Sequence, residues 1–108
     1  MERVELTKLF DAYEKLLTNR EREIFKYYYY EDYSLSEIAE NLNVSRTAIH
    51  NIIKKCENKL QHYEQNLNII KNTEILTSLL EETDIEKIKN QIKIILNWKT
   101  IMTTYYKM

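Results

Sequence analysis

An all-α fold is what this 108-residue sequence predicts, and three features predict it. It contains no Gly and no Pro, the residues that most often break helices or form tight turns. Apolar residues recur at three- and four-residue spacing through most of its length. Between those runs stand Ser/Thr-x-x-Glu tetrads at Thr18–Glu21, Ser34–Glu37 and Thr83–Glu86, the pattern of a reciprocal helix cap. The expected organisation is a helical domain over residues 1–71 followed by a C-terminal helical extension over residues 72–108. That extension is expected to pack on the preceding long helix or on a partner chain.

The first segment, Val4 to Leu17, sets Leu6, Leu9, Phe10, Tyr13, Leu16 and Leu17 on one side of an amphipathic helix. Lys8, Asp11, Glu14 and Lys15 form its charged back. Thr18 caps a second helix, about Asn19 to Tyr30, which buries Ile24, Phe25, Tyr27 and Tyr28. The run Tyr27–Tyr30, with Tyr33 beyond it, cannot share one face, because successive helical residues are turned by about 100°. Core packing and a helix end account for it better than an aromatic docking patch.

Ser34 to Lys55 reads as a helix, a short turn and a second helix, the DNA-reading helix-turn-helix pattern. Ser34 and Glu37 cap the first helix, and Ile38, Ala39 and Leu42 line its inner face. Ala39 is small where the second helix must cross closely. Asn43 takes a turn position that favours positive φ, where Gly is the usual choice and Asn the next best. Val44 is expected to plug the core from the turn, Ser45 to cap the second helix, and Ile49 and Ile52 to bury it. Ser45, Arg46, Thr47, His50, Asn51, Lys54 and Lys55 then remain as the candidate DNA-binding set.

The second helix does not stop with the motif. Ile49, Ile53, Cys56, Leu60, Tyr63, Leu67 and Ile70 continue by alternating steps of four and three, an average period of about 3.5. A helix from Arg46 to Lys71 would run about 39 Å at ~1.5 Å per residue. Ile53, Cys56, Leu60, Tyr63, Leu67 and Ile70 form the expected seam, toward a bundle or toward a second copy, and a homodimer is expected. Asn72–Thr73 marks the expected break. Ile75, Leu76, Leu79 and Leu80 follow as a short apolar segment, and the box at Thr83 opens a last helix to Trp98 or beyond. Its stripe is Ile85, Ile88, Ile92, Ile95 and Leu96, and Trp98, Ile101, Met102, Tyr105 and Tyr106 carry the apolar character onward.

Net charge is −1, but Ser45–Lys59 carries Arg46, Lys54, Lys55 and Lys59 against Glu57 alone, a local +3. An enzyme is not expected. Without Gly there is no phosphate-cradling loop or dinucleotide fingerprint, so no cofactor is expected. His50 and His62 lie about 18 Å apart by helical rise, too far to share a metal ion. Cys56 sits on the apolar face as a small buried hydrophobe, and a lone cysteine excludes an internal disulfide framework. Charged residues from Glu2 onward show no signal peptide, and no apolar run is long enough to span a membrane, so a cytoplasmic location is expected.

Thr18–Phe25, Tyr28, Tyr33, Ser36–Ala39 and Asn43–Ala48 together resemble region 4 of bacterial sigma-70-type factors, which binds promoter DNA. The wider arrangement over about residues 6–70 resembles the YlxM-like family of small bacterial helix-turn-helix proteins. It adds Leu9-Phe10, Tyr13, the Tyr-rich stretch ending Asp32–Leu35, and the long following helix. The resemblance implies a helix-turn-helix bundle, sigma-70 region 4-like, whose long recognition helix extends into C-terminal helices. It implies a DNA-binding regulatory role through the residues named above. Genes of that family characteristically neighbour those of the signal recognition particle protein or its receptor. The resemblance therefore also offers the particle protein or its RNA as partners. The alternatives are an accessory protein of that particle without DNA binding, or an all-helical oligomerisation module.

Overall fold

The computed structural model describes the backbone of residues 2–107 and the side chains of residues 2–96. All regular structure among them is helical, and the chain divides into two compact units, Met1–Asn68 and Ile69–Met108. Among the described residues no helix is long and apolar enough to cross a membrane.

The first unit holds α1 (Arg3–Tyr13), α2 (Asn19–Tyr29), α3 (Leu35–Leu42) and α4 (Arg46–Leu67). A 3-10 turn, Glu14–Leu16, tightens the end of α1, so the first amphipathic segment stops being α-helical before Leu17. Leu17 is buried, whereas Leu16 is half exposed and leaves the expected face. Thr18 and Ser34 cap α2 and α3 as expected. In each case the hydroxyl accepts from the Glu N–H three residues on, and that Glu accepts from the cap N–H in return.

α4 is the spine of the unit and packs against α1, α2 and α3. Its inward residues are Ile49, Ile53, Cys56 and Leu60, all buried. Ile24, Ile38 and Ala39 close on Ile49 and Ile53 beneath the helix-turn-helix. Farther along, Phe10 stacks on Phe25 with ring centroids 4.4 Å apart. The tyrosines divide as helical geometry requires. Tyr27 stacks on Tyr33 at 5.1 Å, Tyr29 leans on Phe25 at 4.5 Å, and Tyr30 is about half exposed with its hydroxyl donating to Asp11. Burial of each large apolar side chain of this kind contributes roughly 1.5–3 kcal/mol.

α4 ends at Leu67, short of Lys71, because Asn68 turns left-handed at φ 52° and its N–H closes on the Glu64 carbonyl at 2.9 Å. Asn72–Thr73 lies inside a helix, and Ile70 belongs to that helix and not to the seam of α4. Two motif-core expectations also shift. Val44 is exposed and does not plug the core, and Ile52 is only half buried while Ile53 takes the inward position.

The second unit pairs α5 (Ile69–Leu79) with α6 (Ile85–Lys107) as a helical hairpin. Asp84, not Thr83, caps α6: its carboxylate accepts from the N–H groups of Glu86 and Lys87. Glu82 turns back to accept from the N–H groups of Thr83 and Asp84. The expected apolar positions Trp98, Ile101, Met102, Tyr105 and Tyr106 lie outside the described side chains.

One buried charge fastens α2 to α4. Glu21 is 5% exposed, and its Oε1 accepts from the Thr18 N–H at 2.8 Å and from Lys59 Nζ at 3.1 Å. Its Oε2 lies 2.9 Å from the same ammonium. Burial pushes the Glu21 carboxyl up, but the Thr18 N–H and Lys59 together outweigh it and hold the group below its ordinary 4.5. A depressed carboxyl contributes stability that is present above the ordinary value and lost as pH falls through the folded one. Glu21→Gln is therefore expected to cost about 1–3 kcal/mol at pH 7 in urea unfolding and to flatten the loss of stability below about pH 4.5. Cys56 packs beneath this pair, its thiol donating to the Glu21 carbonyl at 3.8 Å. Burial first, and the Glu21 charge second, push the thiol up to about 12. A thiol reagent at pH 8 is expected to spare Cys56 in the native protein and to modify it on unfolding; rapid native labelling would contradict this packing.

Candidate nucleic-acid interface

The turn between α3 and α4 is built from backbone bonds. Asn43 adopts φ 56°, ψ 47°, its N–H donates to the Glu40 carbonyl, and the Val44 N–H donates to the Ala39 carbonyl at 3.0 Å. That pair of bonds is a Schellman closure, in which the residue after the left-handed one reaches back to the last full turn. Val44 thus serves mainly through its backbone. Ser45 then caps α4, its Oγ accepting from the Ala48 N–H at 3.0 Å.

With Ile49 and Ile53 fixed inward, the opposite face of α4 is determined. Ser45, Arg46, Thr47, His50, Asn51, Lys54 and Lys55 are all exposed. From Arg46 to Lys55 this stripe spans about 13.5 Å of helix axis, a length suited to a major groove about 12 Å wide. The first turn of α4 carries no acidic side chain, so its N-terminal dipole remains available to an anion. The inner set also converges: Ile38, Ala39 and Ile49 are buried together, with Leu42 and Ile52 half buried against them.

The seam residues divide. Ile53, Cys56 and Leu60 are buried inside the unit. Tyr63 packs its ring 5.9 Å from Tyr13 of α1 and donates to the Leu16 carbonyl. Leu67 is exposed and Ile70 lies on α5.

Three features were missed in the sequence. Lys59, which contributes to the local +3, faces Glu21. Glu57 accepts from the Tyr29 hydroxyl and lies 3.4 Å from Lys54, so one end of the stripe is partly neutralised. Burial and then the Glu57 carboxylate push the Tyr29 phenol above its usual range. Arg3 reaches from α1 to the end of α2, donating its Nε to the Tyr29 carbonyl at 3.1 Å and pairing with Asp32, which itself has φ 56°. Spacing along the sequence could have flagged only the Lys54–Glu57 step of three.

Among the described residues no cluster of His, Cys, Asp and Glu could hold a metal ion. The arrangement defines a helix-turn-helix protein with its second helix presented outward. Residues 1–100 match the model of a family described as "Putative helix-turn-helix protein, YlxM / p13 like", and the chain belongs to that family, UPF0122. A UPF0122 protein of Thermoanaerobacter sp. (strain X514) is 42% identical over 91 residues, covering 83% of this chain and 73% of the relative. One from Clostridium kluyveri (strain ATCC 8527) is 41% identical over 105 residues, covering 84% of this chain and 95% of the relative. One from Halalkalibacterium halodurans is 44% identical over 80 residues, covering 70% and 73%.

The turn can be tested apart from any ligand. Asn43→Gly is expected to leave thermal stability unchanged or slightly raised. Asn43→Val is expected to lower it by about 1–2 kcal/mol, because a β-branched residue resists positive φ. Equal stability of the two variants would contradict the left-handed closure.

Proposed function

We propose that this chain is a DNA-binding regulatory protein of the bacterial cytoplasm, that it acts in the signal recognition particle pathway, and that it works as a homodimer. The carrying observation is the exposed stripe Arg46–Lys55 on the second helix of a fully capped helix-turn-helix. Arg46, His50 and Asn51 supply groups that can bond base edges, Thr47 can meet either a base or a phosphate, and Lys54 and Lys55 suit flanking phosphates. A dimer would present two such helices to half-sites about one helical turn apart. The pathway assignment is supported by the YlxM-like resemblance.

A second reading is an accessory protein of the particle that binds its protein or RNA without reading DNA. The observation favouring it is the thin charge of the stripe, with Lys59 turned inward and Glu57 beside Lys54.

Fluorescence anisotropy with duplex DNA from the chain's own upstream region separates the two. Binding is expected at low salt. Arg46→Ala is expected to weaken it by about 1–3 kcal/mol, and Lys54→Ala to lower the salt slope by about one. No binding at low salt would overturn the DNA reading. Retention of the particle protein or its RNA by the immobilised full chain would then support the second reading.

A further inference from the structure

We propose that Glu57 is a built-in brake on the candidate DNA interface: held in place by Tyr29, its carboxylate competes with DNA phosphates for Lys54 and sets how strongly, not where, the chain binds. The inference rests on the DNA-binding reading above and names a regulation of that same site. Glu57 is the one acidic residue from Ser45 to Tyr63. It follows His50 by seven residues, about two helical turns, and so falls at the edge of the exposed stripe.

A carboxylate on a solvated helix face usually moves freely and pairs only weakly. Glu57 is held. One of its oxygens accepts from the Tyr29 hydroxyl, and the other lies 3.4 Å from Lys54 Nζ. The Glu57 side chain is 19% exposed and that of Lys54 60%, so the acid is the fixed partner and the ammonium the free one. Tyr29 is anchored in turn. Its ring leans on buried Phe25, its carbonyl accepts from Arg3 Nε at 3.1 Å, and the Arg3 guanidinium carbon stands 5.8 Å from its ring centroid. Burial, and then the Glu57 carboxylate, push the Tyr29 phenol up, so it stays a donor through neutral pH. A chain of contacts thus runs from α1 through α2 to the outward face of α4.

Distance decides what the acid affects. A phosphate that takes the Lys54 ammonium comes well inside the Debye length of Glu57, about 10 Å at 0.1 M salt. It must displace the carboxylate or bind beside a negative charge. Arg46 lies about 16 Å back along the helix axis, beyond that length, so its approach to a base edge is screened from Glu57. With Lys59 committed to Glu21, the outward charge of Ser45–Lys59 is Arg46, Lys54 and Lys55 against Glu57, and neutralising Glu57 raises it from +2 to +3. Phosphates are common to every duplex, so the brake weakens binding without regard to sequence.

Fluorescence anisotropy of the full chain tests this with two duplexes of equal length, one from its own upstream region and one unrelated. Glu57→Gln is expected to tighten binding to both by roughly three- to tenfold at about 50 mM salt, with the ratio of the two affinities unchanged. The gain is expected to fade as salt rises, which a packing change would not do. In a Lys54→Ala background the same substitution is expected to gain about twofold or less. Tyr29→Phe is expected to give part of the gain and to add nothing to Glu57→Gln, because Tyr29 is a positioning residue for the carboxylate. Continued protection of Cys56 from thiol reagents shows that each variant is folded. A wild type that binds, with affinity unaltered by Glu57→Gln, overturns the brake and leaves DNA binding standing. A gain confined to one duplex, or one undiminished by Lys54→Ala, overturns the competition for Lys54. Binding by Glu57→Gln alone supports the brake and overturns DNA binding by the native chain. No binding by either protein at low salt overturns both.

Discussion

The first unit depends on one apolar stripe of α4. Ile49, Ile53, Cys56 and Leu60 are each no more than 4% exposed, and they serve three helices at once. Because a helix turns about 100° per residue, fixing those four side chains inward leaves no freedom in what faces out. The exposure of Arg46, Thr47, His50, Asn51, Lys54 and Lys55 is the geometric complement of that burial. Interface and core are thus two sides of one constraint. A substitution that rotated α4 to improve packing would move the outward set as well.

Local chemistry was legible wherever the interacting atoms lie within one turn of each other. Thr18 with Glu21, Ser34 with Glu37, and the Ser45 cap could be read from spacing alone, since a cap is satisfied within three residues. The left-handed Asn43 was legible because few residue types tolerate that backbone. The same chemistry placed a second stop at Asn68, but Asn72 offered an equal signal, and composition cannot rank two asparagines four residues apart. Lys59 escaped because its partner is Glu21, 38 residues away, on a helix whose register against α4 only the packed core establishes. Val44 was misread for a related reason: the turn needs its N–H, and the hydrophobic side chain suggested a role in the core that the backbone already performs.

The inward turn of Lys59 changes the electrostatics of the candidate interface. A sequence tally treats every lysine on the helix as outward, whereas the fold commits one to a buried carboxylate and sets another 3.4 Å from Glu57. What remains favours recognition by shape and hydrogen bonding over strong charge attraction, and nonspecific affinity scales with the phosphates neutralised. In the proposed DNA-binding role, a modestly charged helix would need a second contribution to hold a site, and two half-sites engaged together would supply one through effective concentration.

That requirement bears on why α4 is so long. The candidate DNA-binding stripe ends at Lys55, yet the helix continues to Leu67. The added turns are not a spare zipper: Leu60 is buried, the Tyr63 ring packs at a tilt against Tyr13, and the Tyr13 hydroxyl donates to Glu64. They are the floor on which α1 lies, and α1 in turn carries Phe10 to Phe25 and Arg3 to the end of α2. The length of α4 is therefore explained within one unit, which removes the reason for assigning its heptad pattern to a partner chain. The periodicity that resembles a coiled coil reports here on α1 and α2, while the segments with weaker periodicity, α5 and α6, are the ones left with apolar surface to cover.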